Sequence, residues 1–403
     1  MTSGHLFGVR RRVAAFRWAG MTARPGRCVA PHLAQATCRR TPNFTRTALV
    51  FCALASTTLH SRSAAAEPPA VATSSSYEQR VVDALPAYRP EQTVSGTIRL
   101  WGHGSFSRPF MRRLVARWKA GFAKFHPDCQ IEEYLYGTSS AIPALFLGIG
   151  DISILGEEIL PEAVETFERV KHYPPFGIDI ATGSVEVRNF DYAQMFFVHR
   201  DNPLASLTLA QLDAIFGEEH RRGPANIRTW GQLGLTGEWA DKSITPYGWR
   251  IDDSFGIYLE AALLGGSHHW NNALHEFSHI NRPDGSIYDH GQQALDALAT
   301  DRYGIAVSNI RYARPDVKPL ALAARDGAPP VAVTKENLIT QKYPLTRLIP
   351  AYIDRPPGTP LEPKVREFLR YLLSREGQQD IVNDGGYLPL NAEALAGELQ
   401  KLR

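Results

Sequence analysis

From Gly96 onward the chain switches repeatedly between two hydrophobic rhythms. "GTIRLWG" alternates apolar and polar positions with the period of a strand. The next segment places Phe110, Leu114, Val115, Trp118, Phe122 and Phe125 at helical spacing and stops at Pro127. "CQIEEYLYG" predicts a second strand, "TSSAIPALFLG" a turn into a second helix, "DISIL" a third strand and "EEILPEAVETFERV" a third helix. A second series follows. "AQMFFVHRDNP" predicts a strand and "TLAQLDAIFG" a helix with Thr208 as its N-cap. "SITPYGW" predicts a strand feeding the helix "SFGIYLEAALL", and "YGIAVSNI" a further strand. "EPKVREFLRYLLSREGQQDIVNDG" predicts one long amphipathic helix near the end. Strand–helix alternation of this kind implies an α/β protein with parallel sheets.

The turns between these elements carry the first chemical signal. Ser105, then Thr138 with Ser139, then Ser254 stand at carboxyl ends of predicted strands, just before helices. Ligands of open parallel sheets sit outside those strand ends. A helix start adds unpaired N–H groups and partial positive charge, so several such mouths around one cleft suit an anion. One such mouth alone reads as an ordinary N-cap. In "RIDDSFGIYLEAAL", Arg250 precedes Ser254 by four residues, and a guanidinium can grip two oxyanion oxygens at once. A surface ion pair with Asp252 or Asp253 is the other reading of Arg250, and the two are compatible, because Asp252 can itself orient the arginine.

Charge changes the picture of what the chain can bind. Residues 1–66 hold ten arginines, no lysine and no acid, and removing them leaves 34 Lys and Arg against 41 Asp and Glu, a net of −7. The whole-chain value of +3 therefore misleads, and the folded part does not have the basic balance of a nucleic-acid binder. The basic segment, with Arg46, an apolar stretch from Ala48 to Leu59 and small residues at Ala64, Ala65 and Ala66, reads as a secretory leader cleaved near Ala66. A disordered basic tail is the bland alternative, and Met21 is an alternative start. No run of eighteen apolar residues predicts a membrane span. Three of the four cysteines, Cys28, Cys38 and Cys52, fall in that leader, so the mature chain keeps only Cys129 and has no internal disulfide.

The carboxyl-terminal segment "YPLTRLIPAYIDRPPGTPLEPKVREFLRYLLSREGQQDIVNDGGYLPL", together with "VHRDNPLASLTLAQLDAIFG" and "DRYGIAVS", resembles the phosphate-binding (PstS-type) proteins of bacterial ABC importers. The resemblance runs over about residues 96–390. It implies a two-lobed periplasmic-binding-protein-like fold with two crossing hinge strands, the first near 195–200 and the return near 343–353. Lobe one is then 96–198 plus 345–403, lobe two is 199–344, and 67–95 is a linker with a short helix. The ligand set the resemblance implies is Ser105 and Phe106 at the first mouth, Thr138 and Ser139 at the second, and Arg250, Ser254, Phe255 and Gly256 in lobe two. The family carries Ser-Gly-Thr where this chain has Ser254, Phe255 and Gly256, which removes one hydroxyl and sets a bulky ring at the mouth. The family's aspartate after the third strand is absent from "DISILGEEILP"; Glu157 or its neighbour Glu158 stands in, and Glu157 is chosen.

The implied function is periplasmic capture of a small oxyanion, inorganic phosphate, and delivery to an ABC-transporter permease. The implied protein is a monomer without cofactor, metal or catalytic residue, and it does not bind nucleic acid. Two other readings stay open: the same fold holding a different oxyanion or organic anion, and a zinc hydrolase. The latter rests on "HEFSH", where a helix would align His275 and His279, with Glu276 as general base and His268, His269 or His290 as a third ligand. A phosphate sensor without a transporter is not separable from a transport receptor on sequence. Trp249 and Phe255 read either as core or as the lining of an organic-ligand pocket.

Overall fold

Two five-stranded sheets organise the chain, seen in a computed structural model that describes residues 76–104, 110–185, 193–223 and 226–403. The expected leader, the start of the expected linker, and Ser105 and Phe106 lie outside the described residues. Along the chain the strands are β1 (Gly96–Gly102), β2 (Cys129–Tyr134), β3 (Ile152–Ile154), β4 (Phe176–Thr182), β5 (Met195–His199), β6 (Ser206–Thr208) and β7 (Thr245–Trp249). They continue as β8 (His275–Phe277), β9 (Ile280–Asn281), β10 (Ile287–Tyr288), β11 (Gly304–Ser308), β12 (Val317–Pro319), β13 (Ala321–Ala323) and β14 (Leu348–Ile353). The first sheet has the order β2-β1-β3-β14-β4 and the second β12-β5-β11-β7-β8, with β6/β13 and β9/β10 as small pairs.

Neither large sheet is wholly parallel as the alternation predicts. β1 runs parallel to β2 and β3, whereas β14 runs against β3 and β4. β7 runs parallel to β8 and β11, whereas β5 runs against β11 and β12. β5 and β14 are the strands that arrive from the other lobe. Each enters its sheet from the cleft side, where its parallel neighbours end, so it must run backwards.

The first crossing also falls earlier than expected. β5 already pairs in the second sheet, and Val185 and Ala193 pack in the second core, so the connection lies between Thr182 and Met195 and not at 195–200. The return lies between Leu345, in the second core, and β14 in the first sheet. The crossings hold each other: Gly183 N–H donates to the Arg347 carbonyl at 2.8 Å, and the Tyr343 hydroxyl donates to the Gln194 carbonyl at 2.8 Å.

Each sheet has its own apolar core. Ile98, Leu100, Trp118, Phe122, Phe368 and Tyr371 close the first; Phe196, Phe216, Trp230, Trp249 and Leu259 close the second. The expected linker joins the first core from Ser76 on. Ser76 caps the helix Tyr77–Asp83, and Leu85, Tyr88 and Val94 are buried, with the Tyr88 hydroxyl on Glu367 at 2.7 Å. Its Ala/Pro/Ser composition hides those anchors.

The predicted long terminal helix is two, Pro363–Leu372 and Arg375–Asp384. Ser374 breaks it by donating to the Tyr371 carbonyl at 2.6 Å and accepting from Gly377 N–H at 3.4 Å. Among the described residues no helix is long and apolar enough to cross a membrane, and Cys129 is a buried free thiol.

Candidate functional site

The strand tips of lobe one are pressed together by glycine. Gly102 ends β1 at φ 106°, and a Cβ there would lie 2.3 Å from the Ile154 carbonyl oxygen. His103 follows, with its N–H on that same carbonyl at 2.8 Å and its buried ring 2.7 Å from the Tyr387 hydroxyl. Gly156, after β3, gives the ring room: a Cβ at that position would fall 1.9 Å from His103 Nδ1. The chain beyond β2 turns at Thr138 into a short 3₁₀ segment and the helix Ala141–Phe146. Thr138 Oγ1 accepts the Gly156 N–H at 3.2 Å, and Ser139 beside it is exposed.

Lobe two presents the mouth of the helix Ser254–Ala262, which follows β7. Asp253 caps it: its Oδ1 accepts from the Phe255 N–H at 3.1 Å and from the Ser254 hydroxyl at 3.3 Å. The Phe255 ring turns inward, 5.6 Å from the Trp249 ring, and does not plug the mouth. Trp249 is core as well, its indole N–H on Gln194 at 2.8 Å. Gly256 lies one step further in, where a Cβ would meet the Arg250 carbonyl oxygen at 2.5 Å.

The two sides face one cavity of about 350 Å³, lined by Thr138, Ser139 and Glu157 from lobe one and by Asp253, Ser254 and Phe255 from lobe two, with His103, His279 and His290. Glu157 faces Ser254 across the gap, close enough for the hydroxyl to favour its charged form. Burial pushes its carboxyl above the ordinary range, and Asp253 and Glu158 add to the rise, against the pull of Ser254 and Arg347. Glu158 points elsewhere: Arg347 clamps it with both arms of the guanidinium, Nε donating to Oε1 at 2.8 Å.

Arg347 is a cation that sequence reading passes over. Its side chain is 1% exposed, and its guanidinium lies 4.7 Å over the Phe255 ring and 5.0 Å over the Tyr258 ring. It sits where the return crossing begins, the only sequence signal being an arginine set against the apolar "LIPAYI" strand.

Arg250, by contrast, does not line the cavity. Its fork closes on Asp252, Nε donating at 2.8 Å, and its side chain is 52% exposed. An acid two residues away holds the fork at the rim, the pairing expected both of a surface ion pair and of an arginine oriented by Asp252.

"HEFSH" is not helical either. His275–Phe277 is edge strand β8, so His275 and His279 share no helical face, and His275 lies against Tyr247 with ring centroids 5.3 Å apart. The zinc-protease arrangement of that motif is absent from the described residues.

His290 is the most buried titratable group at the cavity, at 1% exposure. Burial, with His279 adding to it, pushes its pKa down to about 2 and keeps the ring neutral at physiological pH. Its Nδ1 is 3.9 Å from Asp253 and its Nε2 is 4.0 Å from Asp289, both beyond hydrogen-bonding reach.

Sequence comparison puts this geometry in context. A profile of PBP superfamily domains matches residues 192–376. The phosphate-binding protein PstS of Pseudomonas aeruginosa, in two strains, is 30% identical over 321 residues, covering 79% of this chain and 91% of the relative. Among solved structures, PstS from Borrelia burgdorferi aligns at a TM-score of 0.49 and 17% identity over 74% of this chain and all of its own. An ABC-type phosphate transport receptor from Vibrio cholerae aligns at 0.45 and 16% over 72% and 99%. The Pseudomonas relatives are binding proteins by name, not enzymes. On its likeness to the Pseudomonas proteins, the chain belongs to the PstS-type family of phosphate-binding proteins.

Proposed function

We propose that this substrate-binding protein captures inorganic phosphate in the inter-lobe cavity, in the periplasm, and delivers it as a monomer to an ABC-importer permease. The reading rests on one observation above the rest: Thr138, Ser139 and Glu157 of one lobe and Ser254 and Phe255 of the other line a single cavity. The relatives are named for phosphate binding, and the basic, then apolar, then small-residue order of residues 1–66 supports export.

The chemistry divides by role. The hydroxyls of Thr138, Ser139 and Ser254 donate to phosphate oxygens, and Ser105 and the Phe106 N–H join from the first mouth. The Phe255 and Gly256 N–H groups donate at the helix start. For Phe255 the anion must displace the Asp253 carboxylate that holds this N–H. Buried Arg347 supplies positive charge close behind the mouth; Arg250 contributes only by leaving Asp252. Glu157 accepts the proton that phosphate retains at neutral pH. Sulfate has no proton to give, so the same carboxylate repels it. Closure over the anion is a population shift driven by contacts made only in the closed form.

Titration calorimetry of the purified chain with phosphate, sulfate, molybdate and an organic phosphonate tests this. Phosphate should bind one to one, with sulfate roughly 100-fold weaker or more. Absence of phosphate heat, or equal affinity for sulfate, would sink the assignment.

A further inference from the structure

We propose that His279, Asp289 and His290 form a binding site for a divalent transition-metal ion in the lobe-two wall of the cavity, with a coordination position open toward the anion. Their ligand atoms all lie within 4.8 Å of one another. His279 Nδ1 is 3.6 Å from Asp289 Oδ2, and His290 Nε2 is 4.0 Å from Asp289 Oδ1. In a tetrahedral zinc site with bonds of about 2.0–2.1 Å, neighbouring ligand atoms stand about 3.3 Å apart. Closing the trio on an ion therefore takes a contraction of about 0.3 Å for the His279–Asp289 pair and about 0.7 Å for the Asp289–His290 pair, within reach of side-chain rotation.

A second observation, independent of the clustering, points the same way. His290 is 1% exposed, yet neither ring nitrogen has a hydrogen-bond partner. A buried imidazole in that state has lost its water without replacement, which is costly unless a ligand meets it. Asp253 Oδ2, 3.9 Å from His290 Nδ1, stands on the opposite side of the ring from Asp289. That is the disposition in which a carboxylate orients a metal-bound histidine through its second nitrogen. Two imidazoles and one carboxylate suit zinc, nickel or copper better than magnesium or calcium.

Asp289 is pinned for the task. It caps the helix His290–Leu298 with Oδ1 on the Gly291 N–H at 2.8 Å, which fixes the carboxylate beside His290. His279 and His290 both line the cavity. An ion held there places positive charge on the side where Asp253 and Glu157 concentrate negative charge, and can accept an anion oxygen as a further ligand. This coupling rests on the phosphate reading above; the metal site itself does not.

Zinc chloride alone is titrated into chelator-treated protein, with a competing chromophoric chelator as readout and the melting temperature as a second one. One zinc should bind per chain, and the melting temperature should rise. His279→Gln, at an exposed position, should weaken zinc at least about 10–100-fold and abolish the thermal shift while circular dichroism stays native. Asp289→Asn should act in the same direction, and His275→Ala should change nothing. Zinc binding that survives His279→Gln, or that His275→Ala removes, overturns the site. Phosphate titrated with and without zinc then separates the two claims. A roughly tenfold or greater gain in affinity supports the coupling, and equal affinity overturns it. No phosphate binding in either arm condemns the functional reading while the zinc titration still decides the metal site.

Discussion

Arg250 and Arg347 make the same bond in opposite surroundings. Each closes its guanidinium on a carboxylate, Arg250 on Asp252 and Arg347 on Glu158. The first fork spans two residues on the rim of lobe two, and its side chain is 52% exposed. The second spans 189 residues of chain, its arginine side chain is 1% exposed, and its guanidinium is covered by Phe255 and Tyr258. Water reaches both partners of the first pair, whereas in the second it reaches only Glu158, 32% exposed, and not the guanidinium. An identical fork therefore organises the hinge in one place and decorates the surface in the other.

The sharpest way to break this contrast is Arg347→Ala. It leaves Glu158 without its clamp and strips the cation from above Phe255 and Tyr258, so stability should fall by about 3 kcal/mol in urea unfolding. Phosphate affinity should drop roughly 100-fold with it. Arg347→Lys refines the point. A lysine keeps the charge but cannot hold both carboxylate oxygens while stacking on a ring, so a loss of about 1–2 kcal/mol is expected in the same assay.

Glu157→Gln comes next. Because burial raises its carboxyl in the native state, the folded protein binds a proton there more readily than the unfolded chain. Stability therefore declines as pH rises from the ordinary carboxylate range through the raised value, and stays lower above it. The glutamine variant should flatten that decline in a series of urea midpoints, and reduce the preference for phosphate over sulfate roughly tenfold. Arg250→Ala should do least, changing phosphate affinity by no more than about threefold. A collapse of binding in that variant would reverse the comparison and move the functional cation to the rim.

The contrast also explains what could be read in advance. Strands such as "GTIRLWG" and the N-cap at Thr208 follow from local pattern, and the structure forms them at β1 and at the helix Leu209–Phe216, where Gln211 completes a capping box. Thr138, Ser139, Glu157, Ser254 and Phe255 reach one cavity because each stands at a strand tip, a position that periodicity reveals. Burial and long-range pairing are not local. Arg250 lay beside a suggestive serine, but so did its own partner Asp252. Arg347 finds Glu158 only after the chain has crossed between lobes and back. "HEFSH" offered the right histidine under the wrong rhythm: the helix it required is an edge strand, and His279 meets Asp289 and His290 from across a turn. The antiparallel entry of β5 and β14 was equally hidden, since strand direction depends on which end of a sheet the chain approaches.

The bonds that tie the two crossings together have a mechanical result. With Gly183 fastened to Arg347 and Tyr343 to Gln194, the paired segments behave as one strut, and bending either bends both. Sideways slip would shear those contacts, whereas rotation about their common axis preserves them. In the closure proposed above, rotation about that strut is the motion that keeps both bonds.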